Sequence, residues 1–287
     1  MPITDEYGDG LANVDADVVA DPSDYDTFVA VFARTYSHSE DPAALVDLYN
    51  DFQKVRAKHP NAGSSKLANK LGVSRSNIRK WVDDGAVPYV VQGLRTAETR
   101  GWIPMSFDSV EFRAMNRLVA WVMSSGSIHG ERWDVQFVVD DDRARKRIEA
   151  ALAMLELDAE EYEEAGTGIN GTLLGVGADG SVLGRVLHSL GAPKGEGKRR
   201  PDVQLPPYLD RAPEGIQRAW LREYLKNRRR EQDGEPWISF GEDRPASYQR
   251  QFVELVEDVT GASASASESD IYVTADAVRE LGLDRES

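Results

Sequence analysis

A short basic segment, residues 74–80, carries side chains whose chemistry can be assigned directly. It reads Ser-Arg-Ser-Asn-Ile-Arg-Lys, and a helix with Ile78 turned inward would leave the polar side chains on one exposed face. Arginine and asparagine can each bond two atoms of a guanine or adenine edge, whereas serine and lysine reach phosphates. The segment predicts a DNA-reading face, with Arg75, Asn77 and Arg79 on bases and Ser76 and Lys80 on the backbone. The whole predicted contact set is Ser74, Arg75, Ser76, Asn77, Arg79 and Lys80.

Two helices joined by a tight turn would position this face. Residues 64–71 read as a short helix, Gly72 and Val73 make the turn, and Ser74 begins a helix to about Val82. The apolar residues facing the core would be Val73, Ile78, Trp81 and Val82. This order resembles the helix-turn-helix family, whose second helix lies in the DNA major groove. A helical hairpin with a solvated basic face is the alternative.

The flanking sequence completes an N-terminal helical domain, which we place at residues 23–104. Residues 24–36 have helical spacing, and Asp41 with Pro42 is typical of a helix start. Before them, residues 1–22 hold Asp5, Glu6, Asp9, Asp15, Asp17 and Asp21, and Arg34 is the first basic residue of the chain. This composition predicts a disordered acidic arm, with a solvated tail of no function as the alternative.

Composition limits the classes of protein to consider. The 287 residues carry a net charge of −15 at a pI near 4.8, which opposes binding to phosphates. The spread of acidic residues resembles proteins of salt-loving archaea, and in molar salt a Debye length of about 3 Å screens such repulsion. The chain has no cysteine and four histidines, so we expect neither disulfides nor thiolate zinc sites. It has no long apolar run or signal pattern, so we expect a cytoplasmic protein with no membrane partner.

The C-terminal two-thirds of the chain, residues 105–287, has an internally repeated pattern. The stretch Leu118–Ile128 contains an apolar helix that ends at Gly126, and a second apolar helix starts at Trp220. Each is followed by a strand-like run (residues 133–139 and 237–240) and then an amphipathic helix. We place repeat one at residues 108–192 and repeat two at 205–283.

This arrangement resembles the LAGLIDADG homing-endonuclease family. The segment Leu-His-Ser-Leu-Gly-Ala-Pro-Lys-Gly-Glu-Gly-Lys at 187–198, followed by Val-Gln-Leu-Pro at 203–206, is similar to that family's helix, loop, strand and proline before its second signature helix. The resemblance implies a saddle-shaped sheet for DNA and two paired signature helices. It also implies a carboxylate at the end of each helix, and these two bind the divalent metals that drive phosphodiester hydrolysis.

The chain departs from the family at those two metal positions. Aligning the signature places Ser125 before Gly126 in the first copy, and Arg228 before Arg229 in the second. A hydroxyl and a guanidinium do not bind Mg²⁺, which requires oxygen anions. We therefore predict no catalytic residue, no metal ligand and no cofactor. Glu223 and Asn227 occupy positions where the family has small residues, which predicts looser helix crossing or polar contacts to Ser124.

Two further basic groups stand out against the acidic background. They lie at the end of the second apolar helix and in the loop before it, and either could be a solvated helix end or loop, since cations favour helix C-termini. We predict that both contact the DNA backbone. Their members are Lys226, Arg228, Arg229 and Arg230 in the first group and Lys194, Lys198, Arg199 and Arg200 in the second.

The sequence thus predicts an α+β protein with an all-α helix-turn-helix domain and a pseudo-twofold, duplicated LAGLIDADG-like saddle. Its expected partner is double-stranded DNA, its expected role is transcriptional regulation, and homo-oligomerisation is left open. Bacterial WhiA regulators combine similar modules in the opposite order. One alternative is an active or recently decayed homing endonuclease that uses a displaced carboxylate such as Glu223 or Glu131. Another is a maturase-like RNA-binding protein.

Overall fold

The computed structural model of the chain describes residues 10–15, 18–37, 39, 41–162, 171–229 and 236–284. The Cα positions divide into two compact units, Met1–Pro104 and Met105–Ser287. Within the described ranges, helices are too short or too polar to cross a bilayer.

The described part of the first unit is helical. Its helices are α1 (Tyr25–Arg34), α2 (Pro42–Lys58), α3 (Ser64–Leu71), α4 (Arg75–Asp83) and α5 (Tyr89–Thr99). The Asp41 side chain accepts the backbone N–H of Ala44, and Pro42 occupies the first helical position, where its missing N–H costs nothing. The predicted start of α2 is therefore confirmed.

The expectation of a disordered arm over residues 1–22 is wrong for the described part of that range. Leu11, in a 3₁₀ turn over residues 11–13, and Ala20 are both buried. The N–H of Ala12 donates to Asp47 Oδ2 of α2 at 3.1 Å, and Arg34 of α1 donates to the carbonyl of Asp15 at 2.7 Å. Buried apolar side chains and these bonds fix a segment whose charge predicted disorder. Residues 1–9 and 16–17 lie outside the described residues.

A glycine turn joins α3 to α4, as the sequence predicts. Gly72 has φ +67° and ψ +23°, the left-handed conformation that ends a helix, and the N–H of Val73 donates to the carbonyl of Ala68 at 3.1 Å. Ile78 of α4 is fully buried. Trp81 is only half-buried, with its ring against Tyr49 of α2 at 5.1 Å. Val73 and Val82 are likewise half-buried. Of the four residues predicted to face the core, Ile78 is therefore the one that is fully buried.

Gly72→Ala should destabilise the first unit by about 1–2 kcal/mol, because an L side chain is disfavoured at this φ. Nothing lies within 4 Å of the Cβ that the substitution adds, so crowding does not contribute. Gly63→Ala is the matched control: its surroundings are equally open and its φ of −75° suits alanine. Urea unfolding should separate the two variants, and equal stabilities would contradict the turn geometry.

The second unit combines helices with two small antiparallel sheets. In chain order its first half contains α6 (Val110–Ser125), β1 (Gly126–Ile128), β2 (Val135–Val139), α7 (Asp142–Ala153), β3 (Ala159–Tyr162), β4 (Thr172–Val176) and α8 (Gly180–Ser189). The second half contains α9 (Glu214–Arg228), β5 (Ile238–Gly241), α10 (Ala246–Thr260), β6 (Ala264–Ala266), β7 (Asp270–Val273) and α11 (Ala275–Glu280).

The two sheets share a connection pattern. The strand order is β1-β2-β4-β3 in the first sheet and β5-β7-β6 in the second. In both, the strand before the long helix pairs with the second of the two strands after it, and that strand pairs with the first. The strands β2, β4 and β3 thus correspond in position to β5, β7 and β6.

Helices α6 and α9 pack against each other at the centre of the second unit. Their apolar faces are fully buried, with Leu118 and Trp121 on α6 and Trp220 and Leu221 on α9. The predicted pairing of the two apolar helices is therefore confirmed. Tryptophan and leucine at helical spacing give each helix a wide apolar stripe that only a partner can remove from water.

Two predicted strands differ from those observed. The strand expected from Trp133 starts at Val135, because Trp133 has a φ of +68° in the turn after β1. No strand forms at 203–206 within the described chain, where neighbouring prolines remove backbone donors. Helix α9 ends at Arg228, and Arg230 lies outside the described residues. The turn of the predicted hairpin near residues 166–168 also lies outside them, although its strands β3 and β4 pair.

Candidate functional site

The polar side chains of α4 lie on the surface, as predicted. The exposed residues are Ser74, Arg75, Ser76, Asn77, Arg79 and Lys80. Arg75 Nε donates to Ser64 Oγ at 2.9 Å, which fixes this arginine against the start of α3, and Arg79 lies 3.5 Å from Asp83 in an exposed pair. Ser74 occupies the N-cap position but bonds to the hydroxyl of Ser76 at 2.7 Å instead of capping the helix. The face thus offers amide, hydroxyl and guanidinium groups to solvent.

A second candidate site lies where α6 and α9 end. Ser125, at the first predicted metal position, donates its hydroxyl to the carbonyl of Val138 at 3.2 Å. Arg228, at the second, donates to the carbonyl of Gly241 and lies 3.8 Å from Glu242 Oε2. Within the described residues, no three His, Asp or Glu side chains are grouped so as to hold a metal ion.

Two residues of this site were missed by the sequence analysis. Glu242 and Arg244 follow β5 and are buried, with 3% and 7% of their side chains exposed. Arg244 Nη1 donates to Glu242 Oε2 at 2.9 Å, and Nη2 donates to the carbonyl of Met123 in α6. The Tyr224 hydroxyl of α9 donates to Glu242 Oε2 at 2.7 Å, and burial raises the pKa of that tyrosine to about 12. The only sequence signal for Glu242 and Arg244 was their position just after an apolar strand.

Lys198 reaches this site from the loop before α9. Its ammonium donates to the carbonyl of Gly126, directly after α6. Burial lowers the pKa of Lys198 to about 7, helped by the positive charges of Arg244 and Arg228 and opposed by Glu242. We call Lys198, Arg228 and Arg244 the cation cluster. Two of its members bond carbonyls at the C-terminal end of α6, where the helix dipole attracts positive charge.

The remaining predicted basic residues do not join this cluster. Arg199 and Arg200 are exposed and pair with Glu196 at 3.0 Å and Asp202 at 2.8 Å, so the four loop cations do not share one surface. Lys194 lies 4.0 Å from the centre of the Trp133 ring. Arg229 is exposed, with Nη1 3.3 Å from the carbonyl of Leu283, and Lys226 is half-buried.

Polar side chains of α6, α7 and α9 form a bridge across the α6–α9 pair. Trp121 Nε1 and Arg147 Nε of α7 each donate to Glu223 Oε1 at 2.8 Å. Arg147 also donates to Asn227 Oδ1 at 2.6 Å, and Asn227 donates to Ser124 Oγ at 3.0 Å. The predicted polar contact to Ser124 is confirmed. The Glu223 carboxylate therefore already accepts hydrogen bonds from an indole and a guanidinium, whereas Glu131 is exposed in the turn after β1.

Glu223→Gln should destabilise the second unit by about 1–3 kcal/mol, because Arg147 loses its ionised partner at a largely buried position. Glu214→Gln is the control in the same helix, because Glu214, which pairs with Arg218, has a side chain that is 66% exposed. It should cost at most about 0.5 kcal/mol. Chemical denaturation of both variants checks the difference, and a cost for Glu223→Gln as small as the control's would contradict the bridge.

The fold is similar in part to two solved structures. One is the N-terminal LAGLIDADG domain of DUF199/WhiA, at 11% identity over 64% of this chain and 87% of that chain, with a TM-score of 0.40. The other is the homing endonuclease I-WcaI bound to its DNA recognition sequence, at 9% identity over 70% of this chain and 91% of that chain, with a TM-score of 0.44. No protein-family model matches the sequence, and no curated protein matches it either.

Proposed function

We propose that this chain is a sequence-specific binder of double-stranded DNA that regulates transcription in the cytoplasm. The observation that carries the proposal is the exposed face of α4, which stands after a left-handed glycine turn and presents Arg75, Asn77 and Arg79. A short helix, a glycine turn and a second helix with exposed arginine and asparagine suit docking in the major groove.

We further propose that the second unit is a duplicated LAGLIDADG-like domain that does not cut DNA. The matching strand order of its two sheets and the central α6–α9 pair support the duplication. Loss of catalysis is supported by the ends of those helices, where Ser125 and Arg228 stand in place of carboxylates and Lys198 and Arg244 add positive charge. Cations at this point repel a divalent metal rather than hold it.

Selection of bound duplexes from a random pool, at several KCl concentrations, tests DNA binding. Asn77→Ala and Arg79→Ala should each weaken binding to the selected sequence by about 5- to 150-fold and relax specificity at one base position. Lys80→Ala should weaken binding equally for all sequences and reduce the salt slope by about one. Lys54→Ala, an exposed cation on α2, is the control. No enrichment from the pool, or identical losses for Lys54→Ala, would overturn the proposal.

Two further measurements separate the alternatives. Incubation of the selected duplex with the protein and Mg²⁺ should leave the duplex intact. Cleavage that disappears with EDTA would favour an endonuclease. Structured RNA should compete poorly with the selected duplex, and preferential binding of the RNA would favour a maturase-like protein.

A further inference from the structure

The cation cluster holds more positive charge than the protein around it balances. Among the described residues, Glu242 is the carboxylate that acts on Lys198, against the positive charges of Arg228 and Arg244. With Lys198 protonated, three cations face one anion at a largely buried place, since the Arg244 and Glu242 side chains are 7% and 3% exposed. Like charges repel strongly where water is excluded. An anion at this place would relieve that repulsion.

Two donors of the cluster also lack an acceptor. Arg228 Nε and Arg244 Nε are both buried without a hydrogen-bond partner among the described residues. A buried guanidinium N–H without an acceptor costs free energy, and such groups are rare in folded proteins. Arg244 is more than nine-tenths buried, so bulk water does not meet this need. An oxyanion supplies several acceptors at once, which is what such donors lack.

The other donors of the cluster hold it in place. Lys198 bonds the carbonyl of Gly126, Arg228 that of Gly241, and Arg244 that of Met123. These backbone anchors come from the end of α6 and the end of β5, so the positive groups are positioned before any ligand arrives. A phosphate group presents several acceptor oxygens to separate donors, which a spherical anion such as chloride does not.

We infer that Lys198, Arg228 and Arg244 form a binding site for a single phosphate group at the C-terminal ends of the paired helices. The phosphate would belong either to the DNA backbone, in which case the inference rests on the proposed function, or to a small free phosphate compound. No metal ion takes part, because the cations themselves neutralise the phosphate.

Titration of the whole 287-residue chain with inorganic phosphate tests the site without DNA. Thermal unfolding and calorimetry are followed at pH 6.5 in a phosphate-free buffer, with KCl added to keep ionic strength constant. Wild type should show saturable stabilisation, and Lys198→Met and Arg228→Met should bind phosphate at least about tenfold more weakly. Lys198→Arg should restore binding. Arg199→Met and Arg200→Met, exposed cations of the same loop, should bind as wild type does.

A second arm uses the selected duplex and identifies the source of the phosphate. Competition between inorganic phosphate and duplex in wild type, but not in Lys198→Met, would assign the site to the DNA backbone. Saturable phosphate binding that leaves duplex binding unchanged would assign it to a small free phosphate compound. Failure of any duplex to bind would overturn the proposed function and leave the phosphate titration decisive. No saturable response in wild type, or equal responses in all variants, would overturn the inference.

Discussion

Glu242→Gln is expected to lower the free energy of unfolding of the second unit by about 3–5 kcal/mol. Its carboxylate accepts bonds from Arg244 at 2.9 Å and Tyr224 at 2.7 Å and lies 3.8 Å from Arg228. The amide keeps the shape but removes the charge. The cations are then left without their anion at a place shielded from water, and that imbalance is what destabilises the fold.

Urea unfolding followed by tryptophan fluorescence measures this loss. Asp243→Asn is the matched control, because Asp243 is the adjacent residue in the chain and is exposed, and it should change stability by less than about 0.5 kcal/mol. Should Glu242→Gln fail to fold, Glu242→Asp keeps the charge on a shorter side chain and should recover a folded protein. Equal stabilities of Glu242→Gln and the control would show that the cations do not depend on this carboxylate.

The helices around the site could be predicted from the sequence because their signals are local. Apolar residues at helical spacing around Trp121 and Trp220 indicated two buried helices, and the structure pairs them. Likewise Gly72 indicated a tight turn, and the structure has that turn, with Gly72 at a φ of +67°. Each of these signals depends on residues within one or two helical turns, which is the range over which a sequence pattern determines backbone structure.

The cation cluster could not be predicted because its members are far apart in the sequence. Lys198 was grouped with Arg199 and Arg200, its neighbours in the loop, yet its ammonium turns inward while theirs remain exposed. Which of three adjacent basic side chains turns inward depends on the carbonyl of Gly126 at the end of α6. Glu242 and Arg244 gave no periodic signal, since the strand before them has four residues.

The polar bridge shows how a correct local interpretation can still be incomplete. Glu223 and Asn227 were recognised as too large for close helix crossing, and a contact from Asn227 to Ser124 was expected and is present. The partner that satisfies both, Arg147, comes from α7 and was not foreseen. A buried carboxylate requires a donor, but the sequence does not state which helix supplies it.

The stability of wild type should increase as the pH rises from 7 to 9, relative to Lys198→Met. The pKa of Lys198 falls from an ordinary 10.5 to about 7 through burial and through Arg244 and Arg228, with Glu242 acting in the opposite direction. Above pH 7 the folded protein therefore binds fewer protons at this site than the unfolded chain does. The free energy of unfolding then rises by up to about 1.4 kcal/mol per pH unit. Below pH 7 both states are protonated, so the full destabilisation persists there.

Unfolding curves in phosphate-free buffer at each pH check the sign and the slope. The other titrating groups are common to both proteins and cancel in the difference. The advantage of Lys198→Met over wild type should be greatest at pH 7 and below and should shrink towards pH 9. Arg199→Met should differ from wild type by a constant amount, while Lys198→Arg, which never loses its charge, should fall progressively behind wild type as the pH rises. A constant difference between Lys198→Met and wild type would mean that neither burial nor the cationic neighbours of Lys198 destabilise its ammonium, and the predicted pH dependence would be wrong.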